Sequence, residues 1–83
     1  MNNIWIIDDE ESIRTICTSA LEDLFKIESF ANASEALLQL NSKQPDLIIT
    51  DIKMPGMSGL EFLDKVSKKY PYTNNNYYCS RRY

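Results

Sequence analysis

Residues 46–60 read Asp46-Leu47-Ile48-Ile49-Thr50-Asp51-Ile52-Lys53-Met54-Pro55-Gly56-Met57-Ser58-Gly59-Leu60. Leu47-Ile48-Ile49-Thr50 is a short, mainly apolar run that reads as a strand. It stops at Asp51. Pro55, Gly56 and Gly59 then mark a loop. Ser58 and Glu61 form an S-x-x-E capping box, which opens a helix. That helix is expected to turn Leu60, Leu63 and Val66 inward and to run to about Lys69. The stretch is therefore one strand–loop–helix unit with a carboxylate at the end of its strand.

The same unit recurs toward the N-terminus. Ile4-Trp5-Ile6-Ile7 is a short, continuously apolar run, the pattern of a strand buried on both faces, and ends at Asp8-Asp9-Glu10-Glu11. Behind it, Ile13, Ile16, Cys17, Ala20, Leu21 and Leu24 form one apolar stripe at helical spacing. Acids in the first turn suit the positive end of the helix macrodipole. Lys26-Ile27-Glu28-Ser29-Phe30 alternates weakly and reads as an edge strand. Ser34 opens a helix to about Leu40, with Ala33, Ala36, Leu37 and Leu40 as its buried side. Pro45 breaks the chain, and the residue before it is biased away from helix. The order is β-α-β-α-β-α, which implies an α/β fold with a parallel sheet and helices on both faces.

The chain has 83 residues, 43% apolar and 25% charged. That is ordinary for a globular domain, and a domain this small buries little surface and is marginally stable. No apolar run approaches the ~20 residues that span a bilayer. The apolar run at Ile4–Ile7 is four residues long and is followed at once by four acids, unlike a signal peptide. A cytoplasmic protein without membrane association is expected. Residues 1–70 carry seven basic and twelve acidic side chains, whereas residues 71–83 carry Arg81, Arg82 and no acid. An acidic body argues against a nucleic-acid surface. Cys17 and Cys79 lie far apart, and the chain has no His. Two free thiols are expected rather than a zinc site.

In an open α/β sheet, ligands bind beyond the carboxyl ends of the strands, where strand order reverses. With the first strand between the second and third, Asp8, Asp9 and Asp51 meet at that reversal. Crowded carboxylates repel one another unless a cation sits among them. Hard cations such as Mg²⁺ take oxygen ligands, often one or two carboxylates plus phosphate oxygens. A carboxylate beside such a cation can attack phosphorus and form an aspartyl phosphate. Asp51, alone at the end of its strand, is the natural nucleophile, with Asp8 and Asp9 holding the metal. Each acid also has a plainer reading. Acid pairs after strands serve as helix caps, and Asp at a strand end is a common turn residue. The two sites together, each at the right end of its own strand, favour an Mg²⁺-binding acidic pocket.

Ile4-Trp5-Ile6-Ile7-Asp8-Asp9-Glu10-Glu11-Ser12-Ile13-Arg14 resembles the opening of response-regulator receiver domains. Residues 46–60 resemble their D-L-I-I-x-D-I-x-M-P-x-M-x-G-L segment. Trp5 before the acid pair and the M-P-G-M-S-G-L stretch are most similar to the NtrC class of nitrogen-regulation activators. The resemblance covers about residues 3–70 and implies a flavodoxin-like, doubly wound sheet with strand order 2-1-3. It also implies that Asp51 accepts phosphate from a sensor histidine kinase. Asp8, Asp9, Asp51 and the backbone carbonyl of Lys53 would hold Mg²⁺, while Pro55 and Gly59 shape the loop behind the site.

The family continues with two further strands, ending in a Ser or Thr and in a Lys that contact the phosphoryl group. Neither is expected here. Thr73 sits in unpatterned sequence, and no Lys follows Lys69. The reading is a partial receiver over residues 1–70 and a non-homologous tail over 71–83. Back-translating Tyr72 to Tyr83 and shifting the frame by one base permits P-I-I-I-I-T-A-H-G-D, which resembles the missing fourth strand. A frameshifted gene product is the expectation, against an unrelated or engineered tail. Leu47–Thr50 would then be an open, aggregation-prone edge, and phosphotransfer would be impaired.

Other function classes are a small Mg²⁺-dependent phosphatase or Toprim-like nuclease domain, and an interaction module or non-functional fragment. The enzyme folds usually place two acids one residue apart on one strand, and Ile52-Lys53 after Asp51 does not supply the second. An NtrC-like protein also carries an ATPase domain and a DNA-binding domain. No part of this chain matches either, so no DNA binding is expected of it.

Overall fold

The computed structural model describes residues 2–69 and 79–81. The elements are β1 (Asn3–Ile7), α1 (Glu11–Leu21), β2 (Lys26–Phe30), α2 (Ala33–Gln39), β3 (Leu47–Asp51), α3 (Gly59–Lys69) and β4 (Cys79–Arg81). The strands form one sheet in the order β2-β1-β3-β4, and every neighbouring pair is parallel. The expected 2-1-3 order is present, with β1 in the middle.

The register brings Ile7 beside Thr50, so β1 and β3 end at the same level. The chain leaves β1 at Asp8 and ends β3 at Asp51, which places both carboxylates on one edge of the sheet. The opposite end is tied by a reciprocal pair. Asn3 N–H donates to Asp46 Oδ2 and Asp46 N–H to Asn3 O, both at 2.8 Å.

The helices divide between the two faces unequally. On one face Trp5, Ile7 and Ile48 pack with Ala33, Ala36, Leu40, Met54, Phe62 and Val66 in a single buried cluster. The Trp5 ring meets Phe30 at 4.8 Å between centroids, tilted by 59°, a favourable aromatic geometry. α1 covers the other face and contains no fully buried residue. Its Ile13, Cys17 and Leu21 are half-buried, while Ile16 and the following Leu24 are 63% and 70% exposed. Its apolar stripe is thus wider than the face it covers.

Three expectations need correction. Leu60 points outward, and Phe62, fully buried, takes the inward position with Val66. The two are i and i+4 neighbours, which share a helix face. α2 begins at Ala33 rather than Ser34, because Asn32 is its cap. The Asn32 Oδ1 accepts from Glu35 N–H at 2.9 Å, satisfying a helix-start donor. Finally, Leu47–Thr50 is not an open edge throughout. Cys79, Ser80 and Arg81 pair with Ile49, Thr50 and Asp51, so the tail contributes a short strand. That strand has no apolar alternation of its own. It lies along the edge of β3, whose backbone groups can pair with an extended segment.

No helix among the described residues is long and apolar enough to cross a membrane. Cys17 is a free cysteine.

Candidate functional site

The acidic corner is built by the ends of β1 and β3. Asp8 is fully buried and Asp51 is 5% exposed, whereas Asp9 faces solvent. One oxygen from each lies within 4.8 Å of one from each of the others. The sequence therefore placed these three residues together correctly, although they come from two strands more than forty positions apart.

Asp8 is held from three sides. Its N–H donates to Phe30 O of β2 at 3.1 Å. Its Oδ1 accepts from Glu10 N–H at 2.9 Å, the Asx-type turn that redirects a chain into a helix. Its carbonyl oxygen accepts from Arg14 Nη1 at 2.7 Å. Glu10, the residue before α1, makes no side-chain cap. Asp8 accepts from the N–H of Glu10 itself, just ahead of the helix, so its turn role and its place in the acidic cluster coexist.

Asp51 is fixed by the loop that follows it. Lys53 N–H reaches Asp51 Oδ1 at 3.4 Å, while Gly59 N–H donates to Ile52 O at 2.9 Å. Ile52 and Lys53 thus begin the loop beside the acid, and Met54 turns back into the core. Pro55 is exposed and Gly56 adopts φ +79°, a left-handed turn conformation that Gly takes without steric cost. Ser58 Oγ accepts from Glu61 N–H at 3.1 Å, which is one half of the expected capping box. The start of α3 is therefore pulled down against the end of β3. Gly59 is the contact point, and a Cβ there would lie 2.1 Å from the Asp51 carbonyl oxygen.

The donor set is all oxygen, and its three carboxylates are close enough for one small cation. Two of the three carboxylates are buried and the third stands beside them at the surface, so their charges repel without a cation among them. The residues present therefore fit a hard divalent ion such as Mg²⁺. With an anchored carboxylate beside a cation, the corner can bind a phosphoryl group or accept one.

Sequence reasoning misses one contributor. Arg14 stands in the sequence only as part of a motif, and its contact depends on α1 folding back over the Asp8 turn, six residues upstream. Gly59, expected to shape the loop behind the site, lies directly against the Asp51 backbone. Thr73 lies outside the described residues.

Comparison with known proteins gives one family. The response regulator receiver domain matches residues 4–77. The DNA-binding transcriptional regulator NtrC of Escherichia coli K12 is 39% identical over 69 residues, spanning 82% of this chain and 15% of that protein. The NtrC of Proteus hauseri is 39% identical over 70 residues, with 83% and 15% covered. This chain thus spans about 15% of the length of these relatives. Among solved structures, chemotaxis protein CheY4 of Vibrio cholerae superposes with a TM-score of 0.87 at 31% identity, over 96% of this chain and 67% of that one. Response regulator TrrA of Thermotoga maritima, solved with Mg²⁺ and BeF, gives 0.80 at 35% identity, over 99% and 66%.

Proposed function

This chain belongs to the response regulator receiver family, and on that premise we propose that it accepts a phosphoryl group on Asp51. The donor is the phosphohistidine of a sensor histidine kinase, in the cytoplasm. The observation that carries this reading is the meeting of Asp8, Asp9 and Asp51 within 4.8 Å, in a fold that superposes on receivers. Asp8, Asp9, Asp51 and the Lys53 carbonyl are the proposed Mg²⁺ site. The chain is a signalling acceptor that is modified once, not a catalyst of turnover on an external substrate. The DNA-binding activity in the name of its NtrC relatives is not proposed for these residues.

Lys53 N–H anchors Asp51 Oδ1, which leaves Oδ2 as the proposed attacking atom. An Oδ2 lone pair forms the new P–O bond. The P–N bond of the phosphohistidine breaks, and its electron pair returns to the imidazole nitrogen. Asp51 is ionised in this step, so no proton has to leave the nucleophile. Bound Mg²⁺ would neutralise charge on the transferring phosphoryl oxygens. Asp8, buried and held from three sides, keeps its carboxylate aimed at that place without reorganisation. Gly59 keeps α3 packed against the acceptor strand.

The test is incubation of the full chain with Mg²⁺ and acetyl phosphate, read by intact mass. One phosphoryl adduct that is lost in Asp51→Asn and in chelator supports the proposal. Steady release of inorganic phosphate from phosphate esters would show an enzyme instead.

A further inference from the structure

Asp9 poses a problem that Asp8 and Asp51 do not. It is exposed, yet its oxygen lies within 4.8 Å of theirs, against the repulsion of two neighbouring carboxylates. Something must hold the Asp8–Asp9 peptide so that Asp9 stays. We infer that Arg14 is the positioning residue that does so, and that it raises the affinity of the acidic corner for a divalent cation despite its own positive charge. The inference rests on reading Asp8, Asp9 and Asp51 as a cation site.

The geometry is local and specific. Arg14 is half-buried on α1, and its backbone N–H donates to Glu10 O at 3.2 Å. The guanidinium therefore stands on a helix whose first turn is already formed. From there Nη1 reaches back to the Asp8 carbonyl oxygen at 2.7 Å. That oxygen belongs to the peptide joining Asp8 to Asp9. Holding it fixes the rotation of the peptide plane, and with it the direction in which Asp9 leaves the chain. A charged donor makes this bond stronger than a neutral one, and the planar fork loses little freedom in making it.

Two effects of Arg14 oppose each other, which makes the inference testable by sign. Its charge repels a cation, so removing the charge alone would tighten Mg²⁺ binding. Its hydrogen bond holds a ligand in place, so removing the bond loosens it. Mg²⁺ demands near-octahedral geometry at short metal–oxygen distances, so a displaced carboxylate costs more than a partly solvated charge that bonds the backbone and not the ion contributes. Outer residues that orient metal ligands commonly alter affinity by roughly 10–100-fold.

The experiment titrates Mg²⁺ into the full chain and follows the amide resonance of Lys53, which lies against Asp51 Oδ1. Wild type, Arg14→Met, Arg14→Lys and Asp51→Asn are compared, with urea midpoints measured in chelator. The expected result is roughly tenfold weaker binding in Arg14→Met, with Arg14→Lys between it and wild type. Unchanged or tighter binding in a folded Arg14→Met overturns the inference and leaves the cation site standing. If Arg14→Met does not fold, Arg14→Lys decides by the same criterion: weaker binding supports the inference, and unchanged or tighter binding overturns it. A wild type with no saturable, Asp51-dependent response overturns the cation site and the inference with it.

Discussion

Gly59 stands against Asp51 so closely that a Cβ on it would lie 2.1 Å from the Asp51 carbonyl oxygen and 2.9 Å from its carbonyl carbon. Both of the nearest atoms are backbone, so no side chain can move aside. Gly59→Ala must push the start of α3 away from the end of β3. The expected cost is about 1–3 kcal/mol, the range for overpacking a tight site. A lowered urea midpoint checks this. Gly56→Ala meets no atom within 4 Å and should cost less, about 1 kcal/mol, from its left-handed backbone alone.

The acidic corner gives a prediction of opposite signs with and without metal. Asp8→Asn keeps an oxygen that can accept from Glu10 N–H and removes one of three negative charges within 4.8 Å. In chelator the variant should be more stable than wild type, by on the order of 1 kcal/mol. With Mg²⁺ present, wild type should gain stability and the variant should not. Urea unfolding under both conditions reads the crossover.

The phase of α3 can be checked by a pair of truncations. Phe62 is fully buried and Leu60 is 59% exposed. Phe62→Ala is expected to cost about 3–5 kcal/mol, enough to unfold a small domain. Leu60→Ala should stay within about 0.5 kcal/mol. Far-ultraviolet circular dichroism against urea separates the two.

β4 gives a fourth prediction. Cys79–Arg81 pairs with Ile49, Thr50 and Asp51, so a chain ending at residue 78 opens the outer edge of β3. Open apolar edges recruit other strands. The shortened chain should therefore show more self-association than the full one by light scattering at equal concentration.

Most of this architecture is legible in the sequence, and for physical reasons. Ile4–Ile7 and Leu47–Ile49 are apolar because both faces of an interior parallel strand are covered. The acids sit where those runs stop, so the site's carboxylates follow from the strands. The failures are equally instructive. Periodicity finds a helix's apolar stripe but not what stands opposite it, so Ile16 and Leu24 fall on the stripe and yet lie exposed. In α3, Leu60 and Phe62 compete for the inward position, and Phe62 takes it by joining the buried cluster. β4 has no apolar alternation, and its pairing with β3 runs through backbone groups that sequence pattern does not show. Arg14 belongs to the site through one hydrogen bond to a carbonyl, and a backbone acceptor leaves no trace in composition or spacing.

The central claim is that Asp51 carries an acyl phosphate, and borohydride trapping tests it most directly. The full chain is treated with Mg²⁺ and acetyl phosphate, reduced with borohydride, digested and sequenced by tandem mass spectrometry. An aspartyl phosphate is reduced to homoserine, whereas free carboxylates and phosphoesters are not. The account predicts homoserine at position 51, dependent on Mg²⁺ and at no other acid. Unmodified Asp51, or homoserine at Asp8 or Asp9 instead, would contradict it.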